Sequence, residues 1–384
     1  MDHLLWYPGH RLLRADVVRA EGARLHAADG LSWIDLESGV WAASVGQTHP
    51  RIASALADQC AQIAHAGFNY TAPVVGEAAA AALRVLGMDD GACTLLCSGS
   101  EAVEYCVRVV QGLMPRPKLL SMADSYFGAY GDAHDRAAGR WHTFDWFGCA
   151  GCPADKACDE TCERHATIPF AEIGAFVFEP GSSSGFVRFP PAKLVEAISR
   201  RTQDGGGFVV VNEVTTGVGR TGRWFGFQHY VITPDAVALG KGIGGGYPVA
   251  VAAVAPRVAA RLTGPPAYAQ SHQNDPLGAA VAREVVRVIR EEGLLERGRE
   301  VAETLLAELE AIRARTPGIA DIRARGLMIA LELEDDPQAS FTRRVHRELL
   351  QRGFIVAQRP GLNVLRIDPP LTIELEHIER FLET

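Results

Sequence analysis

Residues 208–248 read FVVVNEVTTGVGRTGRWFGFQHYVITPDAVALGKGIGGGYP. An apolar run from Phe208 to Val211 ends in Asn212-Glu213-Val214, Gly219-Arg220-Thr221-Gly222 follows, and Val237-Ala238-Leu239 leads to a lone lysine, Lys241, set among glycines. A short continuous apolar run is a strand buried on both faces, and its polar end is where it delivers side chains to a site. A lysine that forms an imine has to reach a carbonyl in a dry cleft and lose its proton near neutral pH, which burial promotes. Gly242-Ile243-Gly244-Gly245-Gly246 gives the backbone freedom for a bound group to lie against the main chain. Taken alone, Lys-Gly is an ordinary surface lysine in a glycine loop; its surroundings change that reading.

Outward from this stretch, short apolar runs alternate with alanine-rich helical segments, the pattern of a mostly parallel sheet covered by helices on both faces. Strands are expected at Thr94–Cys97, Ala175–Phe178, Phe208–Val211, Ala236–Leu239 and Val249–Val254, and helices at Ile52–His65, Val75–Leu86, Glu101–Gly112, Ala192–Arg200 and Leu277–Arg290. Leu294 to Ala314 carries apolar residues at helical spacing, and a small mixed region runs from Ile319 to the end. At 384 residues the chain is long enough for about two or three domains. Charged residues make up 22% and hydrophobic ones 47%, which fits an ordinary globular protein, and a net charge of −8 without a basic stripe argues against nucleic acid. The N-terminus lacks a basic segment followed by an apolar core, and no apolar run reaches membrane-spanning length, so a cytoplasmic location is expected.

Ser98-Gly99-Ser100 lies between a strand and a helix beginning near Glu101, so backbone N–H groups and hydroxyls there can receive an anion. The plain alternative is an N-cap serine. Tyr126-Phe127-Gly128 after the strand-like Lys118–Ser121 suits a loop lining a site, although aromatic residues more often belong to the core.

These segments, taken with Leu5-Trp6-Tyr7-Pro8, Ala28-Asp29-Gly30, Trp33-Ile34-Asp35, Ser38-Gly39-Val40-Trp41-Ala42-Ala43, His49-Pro50, Ser98-Gly99-Ser100-Glu101-Ala102, Glu179-Pro180 and Arg366 ahead of Pro369-Pro370-Leu371, give the chain a resemblance nearly from end to end. It resembles the class III aminotransferases, fold type I enzymes dependent on pyridoxal 5'-phosphate, in the branch of amine transaminases and diaminopelargonate synthase. The resemblance implies an α/β fold: residues 46–275 form a large cofactor domain, while 1–45 and 276–384 form a small α+β domain. It implies homodimers with shared active sites. Lys241 would be the imine former and proton shuttle; Ser98, Gly99 and Ser100 would hold the phosphate. Tyr126 would stack on the pyridine ring, Val214 would press on its opposite face, and Glu179, Asn212 and Thr215 would line the site. Ser271, where relatives usually have threonine, would reach the neighbouring subunit's phosphate. Arg366 and Trp41 would meet the substrate, the arginine by its fork suited to a carboxylate; an ion pair unrelated to substrate is the plain alternative.

The sequence departs from that pattern in several places. Asn212 stands where the family has an aspartate that keeps the pyridine nitrogen protonated, and an amide offers only a neutral hydrogen bond. Thr215 replaces a frequent glutamine, and Phe127 replaces a histidine. Ser184 stands where ornithine-type relatives carry a glutamate, which tilts the expectation towards an amine or ω-amino acid donor with a keto acid acceptor.

Four of the eight cysteines fall within 14 residues: Cys149-x2-Cys152-x5-Cys158-x3-Cys162, with His165 just beyond. Clustered cysteines in a cytosolic protein more often bind metal than form disulfides. The compact spacing favours an iron–sulfur cluster, [4Fe-4S] foremost, over zinc, with a loop of reduced thiols as the plain alternative. Cys60, Cys93, Cys97 and Cys106 lie in apolar or helical contexts and read as core thiols. The expected function is a pyridoxal-phosphate transaminase acting on small-molecule amines and keto acids. An epimerase, racemase or decarboxylase stays open because of Asn212, as does a weakly catalytic redox or metal sensor.

Overall fold

A computed structural model describes residues 3–7, 10, 12–136, 139–153 and 157–384. Pro8 of the opening motif and residues 154–156 of the cysteine loop lie outside them. Seven strands form one sheet in the order Ala92–Leu96, Ala250–Val254, Ala236–Leu239, Phe208–Asn212, Ile173–Phe178, Lys118–Met122, Trp141–Phe144. Every adjacent pair is parallel except the two made by Ala250–Val254.

The strands alternate between two apolar layers. Phe208 and Val210, Ala175 and Val177, and Ala236 and Ala238 pack with the helix Gly99–Gln111, while Val209, Val211, Phe176, Phe178, Val237 and Leu239 face the opposite layer. The alanines on the first face let that helix come close to the sheet, and each fully buried valine stabilises the fold by about 1.5–3 kcal/mol. Continuous apolar runs in the sequence thus become strands buried on both sides.

The expected helices and strands are found with ends shifted by a few residues: Pro50–Gln62, Pro73–Leu86, Gly99–Gln111, Ala192–Asp204, Pro276–Glu291 and Leu294–Arg315 among the helices. The strand expected at Val249–Val254 is found at Ala250–Val254 and is the antiparallel member of the mostly parallel sheet, opposed to both neighbours. Only residues 240–249 connect it to Ala236–Leu239, with a single short 3-10 turn at Lys241–Gly244. A parallel crossover needs a dozen residues or more.

Two smaller sheets carry the rest. The first, Val17–Glu21, Arg24–Ala27 and Ser32–Asp35, takes its fourth strand, Phe354–Ile355, from the C-terminal region; the second joins Ile319–Arg325, Met328–Leu333, Val364–Ile367 and Ala357–Gln358. Among the described residues no helix is long and apolar enough to cross a membrane.

Candidate active site

The cleft is built where the parallel strands end. Leu239 closes its strand, Gly240 follows, and Lys241 sits at φ +46°, a left-handed conformation that costs an ordinary residue about 1–2 kcal/mol. Its Nζ donates to Thr215 Oγ1 at 2.9 Å and stands 4.5 Å from the Trp41 ring. Burial lowers its ammonium from the usual 10.5 to about 7; Glu179 opposes that shift and Arg366 and Arg359 add to it. A lysine in this setting exchanges its proton near neutral pH, so a large share of molecules carry the free amine there.

The adjacent strand ends at Asn212, which is buried. Its Oδ1 accepts from the Val214 N–H at 3.0 Å and its Nδ2 donates to the Tyr126 carbonyl at 2.9 Å. Flipping the amide would set carbonyl against carbonyl and N–H against N–H, so the network fixes its orientation. The remaining Nδ2 hydrogen is a donor, where a carboxylate would offer an acceptor.

Close approaches explain the glycines. A Cβ at Gly99 would lie 2.5 Å from Val214 Cγ1, and one at Gly240 would lie 3.0 Å from the Gly99 Cα. Gly99 and Gly240 therefore pack against each other and against Val214, where neither has room for a side chain. Ser98 caps the helix Gly99–Gln111 through the Glu101 N–H at 3.3 Å, and its hydroxyl donates to Glu101 at 3.0 Å. Ser100 Oγ accepts from the Ala129 N–H at 3.1 Å. The N-cap alternative is thus realised, and the same turn leaves a helix N-terminus able to receive an anion.

Tyr126 is 48% exposed, with its ring free for a ligand, whereas Phe127 is buried and stacks on Trp141 at 5.7 Å. Glu179 accepts from Ser183 Oγ at 2.7 Å and from the Tyr126 N–H at 3.1 Å, and burial raises its carboxyl to about 7. Glu213 is also raised to about 7 by burial, but its oxygens are taken by the Gly226 and Phe227 N–H groups and by Thr216, so it braces the 213–227 segment.

Arg366 differs from the expectation of an open carboxylate fork. Its Nε and Nη2 are already engaged by Asp368 at 3.1 and 2.9 Å, leaving Nη1 unpartnered and buried. Asp368 also accepts from Trp41 Nε1 at 2.7 Å, and the Arg366 guanidinium lies 4.0 Å from the Trp41 ring. Sequence reading passed over Asp368, Arg359 (5.7 Å from the same ring) and Glu37, whose carboxyl is raised to about 7, chiefly by burial. The spacing Arg366-x-Asp368 was the available signal. Ser271 is exposed, and no hydrogen bond joins it to the cleft among the described residues. Its segment lies against the Ser98 turn through Tyr268 Oη to Glu101 at 2.7 Å.

The cysteines form no disulfide. Among the described residues, no three of the sulfurs of Cys149, Cys152, Cys158 and Cys162 lie within 4.8 Å of one another, and the ligand-type group that does is His65, His272 and Asp275.

A doubly covered sheet whose strand ends present Lys241, Asn212, an exposed aromatic ring and a helix N-terminus is that of a fold type I enzyme, and this donor set fits pyridoxal phosphate. The family model for class III aminotransferases matches residues 7–133 and 151–384, and the chain belongs to that family of pyridoxal-phosphate-dependent enzymes. Among curated proteins it is 27% identical to a leucine/methionine racemase of Thermococcus litoralis, over 95% of this chain and 88% of that one. It is 30% identical to a diaminobutyrate–2-oxoglutarate aminotransferase of Rhizobium meliloti, over 94% and 85%. An S-selective transaminase from Arthrobacter sp. shares the fold with a TM-score of 0.89 at 19% identity, over 99% of this chain and 94% of the other.

Proposed function

We propose that this enzyme moves an amino group from an amine or ω-amino acid to a keto acid, with Lys241 as the residue that captures the cofactor and carries the proton. The observation that carries the reading is Lys241 itself, lowered to about 7 by burial and held 2.9 Å from Thr215. Pyridoxal phosphate, when bound, supplies the carbonyl that takes the amine and a ring that accepts electrons as the α-proton leaves. Ser98, Gly99 and Ser100 would receive the phosphate at the helix N-terminus, Tyr126 and Val214 would enclose the ring, and Glu179 holds the Tyr126 loop in place. Thr215 Oγ1 orients Lys241 Nζ, whose lone pair takes and returns the α-proton. Arg366 offers Nη1 to a substrate carboxylate while Asp368 fixes its fork against Trp41. The absence of a glutamate at Ser184 supports the amine-transaminase branch.

The proposal extends to a small domain of 1–45 with 276–384 around a large domain of 46–275, supported by the pairing of Phe354–Ile355 with Ser32–Asp35. It includes a cytoplasmic homodimer with shared sites, supported by exposed Phe68, Tyr70 and Ser271, and a metal or iron–sulfur centre in the cysteine loop.

Asn212 favours a second reading. Its amide would offer the pyridine nitrogen only a neutral donor, which would weaken the ring as an electron acceptor and suit racemisation, epimerisation or decarboxylation; racemases stand among the relatives. The test is to supply pyridoxal phosphate, a panel of amines or ω-amino acids, and pyruvate or 2-oxoglutarate, and to quantify donor consumed against amino product formed. Stoichiometric transfer supports the first reading. Inversion or carbon dioxide release without transfer selects the second, and no turnover would leave the sensor expectation.

A further inference from the structure

Three ligand-type side chains converge outside the Lys241 cleft: His65, His272 and Asp275. Asp275 is the N-cap of the helix Pro276–Glu291, and its Oδ2 accepts from the Leu277 and Gly278 N–H groups at 3.1 and 3.2 Å. The cap fixes the carboxylate and commits one of its oxygens. The other oxygen, Oδ1, lies 3.4 Å from His65 Nδ1 and 3.7 Å from His272 Nδ1. The two imidazole rings stand 4.7 Å apart between centroids, inclined at 46°.

The backbone around these residues is fastened. Asn274, at φ +59°, accepts from the Leu95 N–H at 2.9 Å through its side chain and donates its own N–H to the Leu95 carbonyl at 2.9 Å, while Gln273 donates to Thr94 Oγ1 at 3.0 Å. These bonds tie 273–274 to Ala92–Leu96, the strand at one edge of the large sheet. The His272 N–H donates to Gln270 Oε1 at 2.7 Å. His65 arrives from another direction, three residues beyond the helix Pro50–Gln62.

The separations decide between an ion pair and a metal. An N–H···O bond spans about 2.7–3.2 Å, and both distances to Oδ1 exceed that range. Ligands around a tetrahedral zinc, at bond lengths of about 2.0–2.2 Å, stand about 3.3–3.5 Å from one another. The His65 distance matches that spacing and the His272 distance lies close to it. All three ligand atoms lie within 4.8 Å of one another, and the exposed His272 side chain is free to close the remainder. Both imidazoles are exposed, which gives an ion its way in.

We infer that His65, His272 and Asp275 bind a divalent transition-metal ion, zinc foremost, which pins the 262–275 segment between the helices Pro50–Gln62 and Pro276–Glu291. Two imidazoles and a carboxylate suit zinc, whereas magnesium keeps to oxygen ligands. Three protein ligands leave a fourth position for water, and a cavity of about 190 Å³ lined in part by His272, Asp275, Cys97 and Tyr247 adjoins the group. Residues 262–275 contain neither helix nor strand, so a cross-link from His272 and Asp275 to His65 gives the segment an anchor that secondary structure does not. The same segment reaches the Ser98 turn through Tyr268 and Glu101. The metal assignment rests on no part of the catalytic reading.

The full-length protein, freed of metal with a chelator and dialysed against zinc chloride, should take up about one zinc per chain more than His65→Ala or His272→Ala does. Taking the difference sets aside any zinc held by the cysteines, and excess magnesium should not displace the ion. Equal zinc content in the parent and both variants overturns the site. Crystals of the unaltered protein soaked in zinc chloride should show anomalous scattering among the three side chains; zinc found only elsewhere overturns the site even if the variants fail to fold. Zinc should slow limited proteolysis within 262–275 several-fold in the parent and leave His272→Ala unchanged, and equal cleavage of the parent with and without zinc overturns the pinning.

Discussion

The Lys241 cleft and the cysteine loop lie in one chain but are held by different means. Asn212 and Lys241 are set at the ends of strands whose side chains alternate between two apolar layers, so their placement inherits the rigidity of the sheet. Between Cys149 and His165 the described chain offers the end of a 3-10 turn at Phe147–Cys149, the start of a four-residue helix at Glu163–Ala166, and two turn hydrogen bonds. The first region needs no ligand to be in position. The second has little apolar sequence of its own and is held by turns and by contacts from its neighbours.

The largest expected effect belongs to the first region. Lys241→Ala should cut amino transfer by about a thousandfold or more, measured in single turnovers, while circular dichroism and the thermal midpoint stay close to the parent. Retained transfer would remove Lys241 from the mechanism. Gly99→Ala should cost about 1–3 kcal/mol of stability, because its Cβ falls 2.5 Å from Val214; denaturant unfolding together with cofactor titration checks it. Asn212→Asp should speed the first half-reaction by about tenfold, the equivalent of about 1.4 kcal/mol, by supplying an acceptor for a protonated ring nitrogen. Stopped-flow absorbance reads this, and an unchanged rate removes the handicap assigned to the amide. The smallest global effect belongs to the loop. Limited proteolysis should cut within 149–165 well before the sheet, and a nick there should change the unfolding free energy of the sheet by about 1 kcal/mol or less. A loss of stability as large as that of Gly99→Ala would show the two regions to be one cooperative unit.

What could be read from the sequence follows the same division. Phe208–Val211 and Ala236–Leu239 announce buried strands because every residue in them is apolar, whereas Lys241 stands out only through the motifs that accompany it, a lysine among glycines being by itself an ordinary surface residue. The antiparallel course of Ala250–Val254 was hidden, since burial on both faces writes the same apolar run for either direction. The engagement of Arg366 was hidden for another reason. Asp368 lies two residues away, but the ring they share, Trp41, comes from the other end of the chain and meets them only through the tertiary fold. Ser98 carried two meanings, cap and anion site, and the structure shows one local geometry able to serve both. In the cysteine loop the spacing was plain, whereas the sulfur separations depend on turns that sequence does not specify.

Glu179 and Lys241 are both pushed towards their uncharged forms by burial, one carboxyl raised and one ammonium lowered until both titrate near neutrality. With Lys241 as the proposed capturing residue, seating the cofactor would tie up its nitrogen and remove one of the two groups from that shared equilibrium. Loading is then also an exchange of protons with the solvent. Its calorimetric heat near pH 7 should vary with the ionisation enthalpy of the buffer, and should vary less when position 241 has no amine to titrate.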